Sequence, residues 1–282
     1  MTKVHPGTSL RGGRGIVLEP PGGIVLPPER MPMFYRRRLR KQWLYVAVWS
    51  PRVLLSVCSI GVGPFSQAFW ALWDGETLRQ QTRRGRGLVD LNDMRVRFRD
   101  GRVSVDLTLD EEDAFQVLNF DDRAYTWTGK QLVRATGSIR VEGVSYEIDA
   151  PGLVDESAGY HPRHTRYKWS AGAGTDMQGR SVAWNLAEGI NDAAINSERT
   201  VWVDAVPNEV GPVSIDESLA GITFAEGSRL DFRPEAVRET HDNLLVIRSN
   251  YRHPFGTFSG TLPGGIQLRD ARGVMENHDV FW

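Results

Sequence analysis

Residues 159–204 of this 282-residue chain, GYHPRHTRYKWSAGAGTDMQGRSVAWNLAEGINDAAINSERTVWVD, concentrate side chains able to move protons or to hold a polar group. His161 and His164, beside Glu188 or Asp192, are of the types general acid–base catalysis uses. A carboxyl in apolar surroundings has its pKa raised, and the neutral acid can then protonate an alkene or an enol. Arg166, Trp169, Trp184, Asn185, Asn191, Asn196, Glu198 and Trp202 would line the same site, joined by Glu276 and His278 from GVMENHDVFW. A plain sheet core does not need so many amides and carboxylates among aromatics, because each one buried must be hydrogen-bonded. The blander reading makes the tryptophans core, since large aromatics bury so much area, and the amides ties between turns.

The spacing His161-Pro-Arg-His164, with His278, also has the look of a zinc or iron site. Pro162 works against the helix that would present two ligands on one face, and imidazoles and carboxylates also satisfy one another, so neither a metal nor another cofactor is expected. Arg163 and Arg166 are suited to clamping a carboxylate or phosphate, or else pair with Asp155, Glu156 or Asp192. No G-x-S-x-G elbow, Walker-type loop or dinucleotide fingerprint occurs; LPGGIQ and GAGTDMQG are turn glycines without a strand-to-helix context.

The single cysteine, Cys58 in VLLSVCSI, excludes an intrachain disulfide and reads as a small core residue. The net charge of −1 hides an imbalance: residues 1–100 carry 17 Lys/Arg against 7 Asp/Glu, and residues 101–282 carry 17 against 28. The run Arg36, Arg37, Arg38, Arg40, Lys41 reads as a solvated segment, and no nucleic-acid module accompanies it. The following WLYVAVWSPRVLLSVCSIGVG imitates a membrane segment, but Pro51 and Arg52 cut it into two pieces of strand length. A cytoplasmic protein with no integral membrane span is expected.

The elements that position these residues are strands. Residues 1–34 are rich in Gly and Pro and cannot make a helix. Beyond them, strands are expected at 43–49, 53–60, 67–73, 165–171, 181–186, 200–206, 229–232, 244–251 and 256–261. Asp74-Gly75, Asp100-Gly101 and Glu142-Gly143 mark hairpins. Residues 110–118 and 234–240 are the only short helix candidates. Trp282, closing the last motif, is expected to bring its strand back into the barrel, its carboxylate near a basic partner.

The blocks KQWLYVAVWS, VGPFSQAFWALWD, GLVDESAGYHPRHTRYKWSAGAG, GRSVAWNLAEGINDAAINSERTVWVD, GSRLDFRPEA and RHPFGTFSGTLPGGIQLRDARGVMENHDVFW span roughly residues 40–282. Together they resemble the family known as domain of unknown function 2804. That family is similar in architecture to tandem lipocalin-like proteins, which include carotenoid hydratases, tocopherol cyclases and some pericyclases. The resemblance implies an all-β fold of two antiparallel lipocalin-like barrels or half-barrels around a cavity, with no established substrate. The expected division is a segment 1–40, a β-domain 41–150 and a second β-domain 151–282. Three functions stay open. One is an enzyme of the lyase or isomerase kind (hydratase, cyclase or pericyclase), acting without a redox cofactor on an apolar small molecule with a polar handle. The others are a lipocalin-like carrier of a lipid or terpenoid, and a structural or partner-binding protein. The oligomeric state is not readable.

Overall fold

The structure is a computed structural model and describes residues 8–16, 18–20, 22–85, 90–91, 94–121, 124–244 and 247–282. The first run of strands is β1 (Ser9–Gly13), β2 (Phe34–Tyr35), β3 (Arg38–Leu39), β4 (Lys41–Trp49), β5 (Leu54–Val62), β6 (Phe65–Trp73), β7 (Leu78–Arg84), β8 (Arg95–Asp100), β9 (Val103–Phe120), β10 (Tyr125–Val141) and β11 (Val144–Gly159). The second is β12 (His164–Thr175), β13 (Ser181–Glu188), β14 (Thr200–Val203), β15 (Val206–Glu209), β16 (Val213–Ile215), β17 (Gly221–Phe224), β18 (Arg229–Leu244), β19 (Ile247–Leu262) and β20 (Ile266–Phe281). Among the described residues the sole helical turn is Pro263–Gly265. No helix there is long and apolar enough to cross a membrane.

Two antiparallel sheets result. The first has the order β1-β9-β10-β11-β4-β5-β6-β7, with β8 also on β9, and the second β15-β14-β13-β12-β20-β19-β18-β17-β16. Each sheet curls around a core of its own and packs its other face on its neighbour. Val46, Val57, Leu72, Leu107 and Ile139 fill the first half-barrel, and Trp184, Leu186, Ile222, Phe232, Phe258 and Met275 fill the second. Between the sheets lie Tyr45, Ala47, Trp49, Leu54, Phe69 and Phe115 against Trp169, Ala171, Ala187, Trp202, Phe255 and Val274. Strand β4 is therefore apolar on both faces, and this gives residues 43–62 their false likeness to a membrane segment. The chain turns at Ser50–Val53, where the Ser50 hydroxyl donates to the Val53 carbonyl at 2.9 Å and accepts from its N–H at 2.9 Å. Glu142 and Gly143, with φ of 51° and 93°, make the β10–β11 hairpin as the sequence implies.

Both helix candidates are strands. Residues 110–118 lie inside β9 and residues 234–240 inside β18. Each stretch carries a register shift, opposite Leu132/Val133 in the first and at Pro234/Ala236 in the second. A bulge swaps the faces of a strand, so odd-numbered residues of β9 line the half-barrel core up to Leu109 and the inter-sheet core from Phe115. That break in the two-residue period is what imitates a helical one.

The interior strand β12 has no room for a side chain at Gly172, where it pairs with Gly273 of β20. A Cβ on Gly172 would lie 2.4 Å from Trp184 Cζ2 and 2.7 Å from the Arg272 carbonyl oxygen. Gly172→Ala is expected to cost about 2–3 kcal/mol by overpacking. Thermal melting checks this: an unchanged Tm would mean that β12 and β20 are not so closely apposed.

Candidate functional site

The face that the first sheet turns towards the second carries one cross-strand row: Phe115, Lys130, Asp155, Tyr45, Cys58, Phe69 and Thr82 are each the pairing partner of the next. Side chains in such a row point the same way, because alternate residues of a strand share a face. The second sheet answers with Tyr167 and Trp169 on β12, Glu276 and His278 on β20, Tyr251 and His253 on β19, and Arg238 and Thr240 on β18. Its register pairs Trp169 with Glu276, Tyr167 with His278, His278 with Tyr251, and Arg238 with His253. All of these but Phe115, Thr82 and His253 line a cavity of about 110 Å³. One water needs roughly 10–15 Å³ on the same measure, so a molecule of roughly ten non-hydrogen atoms fits.

Two charged clusters face each other across it. In the first, Lys130 Nζ lies 2.5 Å from Asp155 Oδ2 and 3.5 Å from Glu198 Oε2. Lys130 and Glu198 are each 2% exposed and Asp155 7%. Burial raises the pKa of both carboxyls, and Lys130 offsets it only in part; each also raises the other or is raised by a further carboxylate. Burial acts against the Lys130 cation too, but the two acids outweigh it and hold the ammonium above its usual range. Asp155 Oδ1 is buried with no aligned hydrogen bond, whereas Glu198 Oε2 also accepts from Asn191 Nδ2 at 2.9 Å.

The second cluster centres on Glu276. Its Oε1 accepts from Tyr167 Oη at 2.6 Å and its Oε2 from Tyr251 Oη at 2.9 Å. His253 Nδ1 stands 3.2 Å from Oε2 but off the hydrogen-bond direction. Burial would raise Glu276, yet His253, His278 and Tyr167 together hold it below the ordinary carboxylate range. Burial and then the Glu276 charge push both Tyr167 and Tyr251 well above the usual phenol pKa. On its other side His253 Nε2 shares contacts of 3.2 Å with Tyr45 Oη and Ser56 Oγ. His278 bonds Tyr167 Oη at 3.2 Å and Ser249 Oγ at 2.9 Å, and burial lowers it against the pull of Glu276 and Asp279.

Six of the fourteen site residues expected from sequence line this cavity: His161, Trp169, Asn191, Glu198, Glu276 and His278. His161, in the link between the sheets, is 2% exposed, stacks on Trp43 with ring centroids 5.0 Å apart, and has an unpartnered Nε2. Burial foremost, then Lys41 and Arg38 against Asp121, bring it down to about 3. It is therefore neutral across the physiological range, a base or acceptor and not a cation. A carbon- or nitrogen-detected NMR titration is expected to show no His161 midpoint between pH 8 and 4.5, where a midpoint near 6.5 would place the ring in water. Because its folded pKa lies below the unfolded value, His161 withdraws stability as pH falls below about 6.5.

The others stand elsewhere, and the two-residue period of the strands explains why. On β12 the odd-numbered Thr165, Tyr167 and Trp169 face the cavity, so His164 and Arg166 point away: His164 pairs with Asp279 at 2.8 Å and Arg166 with Glu217 at 3.1 Å, both exposed. On β13, Trp184 and Leu186 fill the second half-barrel, and Glu188 has their parity. It accepts from the Ile215 N–H at 2.9 Å and pairs with Lys168 at 3.2 Å. Asp192 is exposed and accepts from the Gly189 N–H at 2.7 Å. Of the two histidines only His161 lines this cavity, although both border a neighbouring cleft of about 320 Å³, and no group of three His, Cys, Asp or Glu side chains suited to a metal occurs among the described residues.

Asn185 supports the wall from behind, accepting from Trp169 Nε1 at 2.9 Å and donating to the Glu198 carbonyl at 2.8 Å. Asn196 donates to the Ser9 carbonyl at 3.2 Å. Trp202 packs between the sheets, its indole donating to Asp113 Oδ2 at 2.7 Å. Trp282 joins the lining, its indole 3.2 Å from Thr165 Oγ1 and its ring 5.3 Å from Lys41 Nζ. Cys58 lines the cavity as a buried thiol, its pKa pushed well up by burial, with Glu276 and Asp155 adding to the shift. The residues that sequence reasoning passed over are Tyr45, Lys130, His253 and Arg238, and it took Asp155 only as an ion-pair partner for Arg163 or Arg166, where the structure pairs it with Lys130. Their signal was a charged or polar side chain recurring inside strands otherwise apolar.

A model of the family described as Domain of unknown function (DUF2804) matches residues 77–282. The chain belongs to the DUF2804 family. Among solved structures, this DUF2804 chain is similar to an AttH candidate protein from Nitrosomonas europaea at 13% identity and a TM-score of 0.53, covering 90% of this chain and 98% of that one. Kievitone hydratase from Nectria haematococca follows at 9% identity and 0.46, covering 86% and 88%, and CghA at 13% and 0.43, covering 97% of each. The first of these likenesses agrees with a lipocalin-like fold of two half-barrels running the length of the chain. No curated protein sequence matches.

Proposed function

We propose that the protein binds a small, largely apolar molecule between its half-barrels and moves a proton to or from it, in an addition, isomerisation or cyclisation. The observation that carries this reading is one buried cation, Lys130, placed between two buried carboxyls, Asp155 and Glu198. A single positive charge supports one carboxylate there, and burial raises both acids, so the pair gives up its last proton at a higher pH than a free carboxyl does. Asp155 lines the cavity wall, its Oδ1 buried without an aligned hydrogen bond and the Trp43 indole close to its carboxyl. Its O–H would protonate an alkene, enol or carbonyl, and the carboxylate left behind would take a proton from the resulting cation or from an adding water, closing the cycle without an oxidant or reductant. Glu276, kept anionic, and neutral His161 would steady positive charge developing on the substrate.

The test uses D2O. Compounds with an activated C–H or C=C that bind the protein are incubated with it and analysed by mass spectrometry. Deuterium gained with the wild type and not with Asp155→Asn supports catalysis. Tight binding without deuterium gain or conversion, for any ligand, leaves a carrier of an apolar molecule.

A further inference from the structure

Arg238 is 2% exposed, yet its Nε and Nη1 have no hydrogen-bonding partner. Only Nη2 is engaged, donating to Thr82 Oγ1 at 2.8 Å, and the guanidinium lies 4.2 Å from the centroid of Phe69 and 5.4 Å from that of Tyr251. No carboxylate among the described residues pairs with it. The acids lining the cavity are otherwise placed: Glu276 bonds Tyr167 and Tyr251, Asp155 and Glu198 pair with Lys130, and Asp242, farther along the same face of β18, makes no ion pair with Arg238. A cation out of water needs an anion and acceptors for its N–H groups, and the protein supplies neither in full. Arg238 lines the cavity.

We infer that the ligand is an apolar monocarboxylic acid whose carboxylate pairs with Arg238, while its body lies over Phe69 and Cys58 and its far end points along the row towards Asp155. This assigns a substrate class to the site proposed above and rests on that reading. Three observations select the class. The single uncommitted positive charge matches a monoanion; a phosphate dianion would need a second cation, and Lys130 is taken. Phe69 and Asp155 lie in one row, three strands apart through Cys58 and Tyr45. At about 4.8 Å per strand this is about 14 Å measured along the curled sheet, so the anchoring and reacting ends are separate. The volume admits roughly ten non-hydrogen atoms, the size of octanoic acid.

Calorimetric titration at pH 7.5 with octanoate, octan-1-ol, methyl octanoate and octyl phosphate tests the class. The wild type is expected to bind octanoate at least tenfold more tightly than the alcohol or the ester. Arg238→Met is expected to bring acid and alcohol within about twofold of each other, with alcohol affinity kept, and Arg238→Lys to keep part of the preference. The melting temperature of unliganded Arg238→Met should not fall, because the substitution removes an uncompensated charge; a structural role would lower it. The inference is overturned if the wild type does not prefer octanoate, if Arg238→Met keeps the wild-type ratio, or if octyl phosphate binds more tightly than octanoate. In each of those cases alcohol binding would leave the cavity reading intact. Binding of none of the four probes would sink the cavity reading, and this inference with it. Should Arg238→Met not fold, the wild-type comparison of acid with ester and the Arg238→Lys ratio decide.

Discussion

Lys130→Met is expected to lower the stability of the protein at pH 7.5 by about 3–5 kcal/mol, the usual consequence of removing one partner from a buried ion pair. The substitution nearly conserves volume, so packing contributes little. What remains is Asp155 and Glu198 facing each other with no cation, and both must then take up protons. Their pKa values, already raised by burial, rise further. An acid whose folded pKa lies above its unfolded one binds more protons folded than unfolded, so stability falls as pH climbs above the unfolded value near 4. The deficit of Lys130→Met should therefore be large at pH 7.5 and shrink towards pH 4.5. Adding Asp155→Asn and Glu198→Gln should recover much of it, since a neutral set leaves no unpaired charge. Urea denaturation at the two pH values measures this. A deficit independent of pH, or unrelieved by the neutral substitutions, would mean that Lys130 stabilises by packing along its stem and that the three charges are not coupled.

The contrast between what was and was not legible in the chain follows from the range of the interactions involved. Strands β4, β5 and β6 and the Glu142-Gly143 turn were readable because alternation and turn chemistry act between residues close in sequence. The polar wall from β12 and β20 was readable as a crowd of costly residues. The same two-residue period could also have separated Tyr167 and Trp169 from His164 and Arg166, and Asn185 from Glu188, had the strand faces been assigned first. The opposite wall was not readable. Tyr45 meets His253 across 208 residues, and nothing local in TWTGKQLV or GLVDESAG announces that Lys130 and Asp155 face Trp169 and Glu276. Arg238 was hidden for a related reason: Pro234 and the bulge beside it disguised its strand as a short helix.

Asp155→Asn is expected to lower proton transfer to a bound substrate by 10²–10⁴-fold, the range that positioned general acids contribute, while leaving the fold as stable as before or more so. The amide keeps the shape of the carboxyl. It removes an acid whose ionisation costs stability above pH 4, and Lys130 keeps Glu198 as its partner. If the protonated carboxyl is the donor, wild-type activity falls as pH rises through the raised pKa of the Asp155–Glu198 pair, and the residual activity of Asp155→Asn lacks that limb. Glu276→Gln is the internal control, because Glu276 is shifted the other way. A carboxyl with a depressed folded pKa adds stability above its unfolded value near 4.3, and that stability is lost as pH falls through the folded pKa. Glu276→Gln should therefore lower the melting temperature at pH 7.5 and lose less of it on acidification than the wild type does. Two buried acids in one cavity would thus respond oppositely, one needed for turnover and dispensable for folding, the other holding Tyr167, Tyr251 and His253 in place. A sharp fall in melting temperature for Asp155→Asn, with deuterium incorporation unchanged, would move Asp155 to the scaffold and leave the proton donor to be sought elsewhere on the wall.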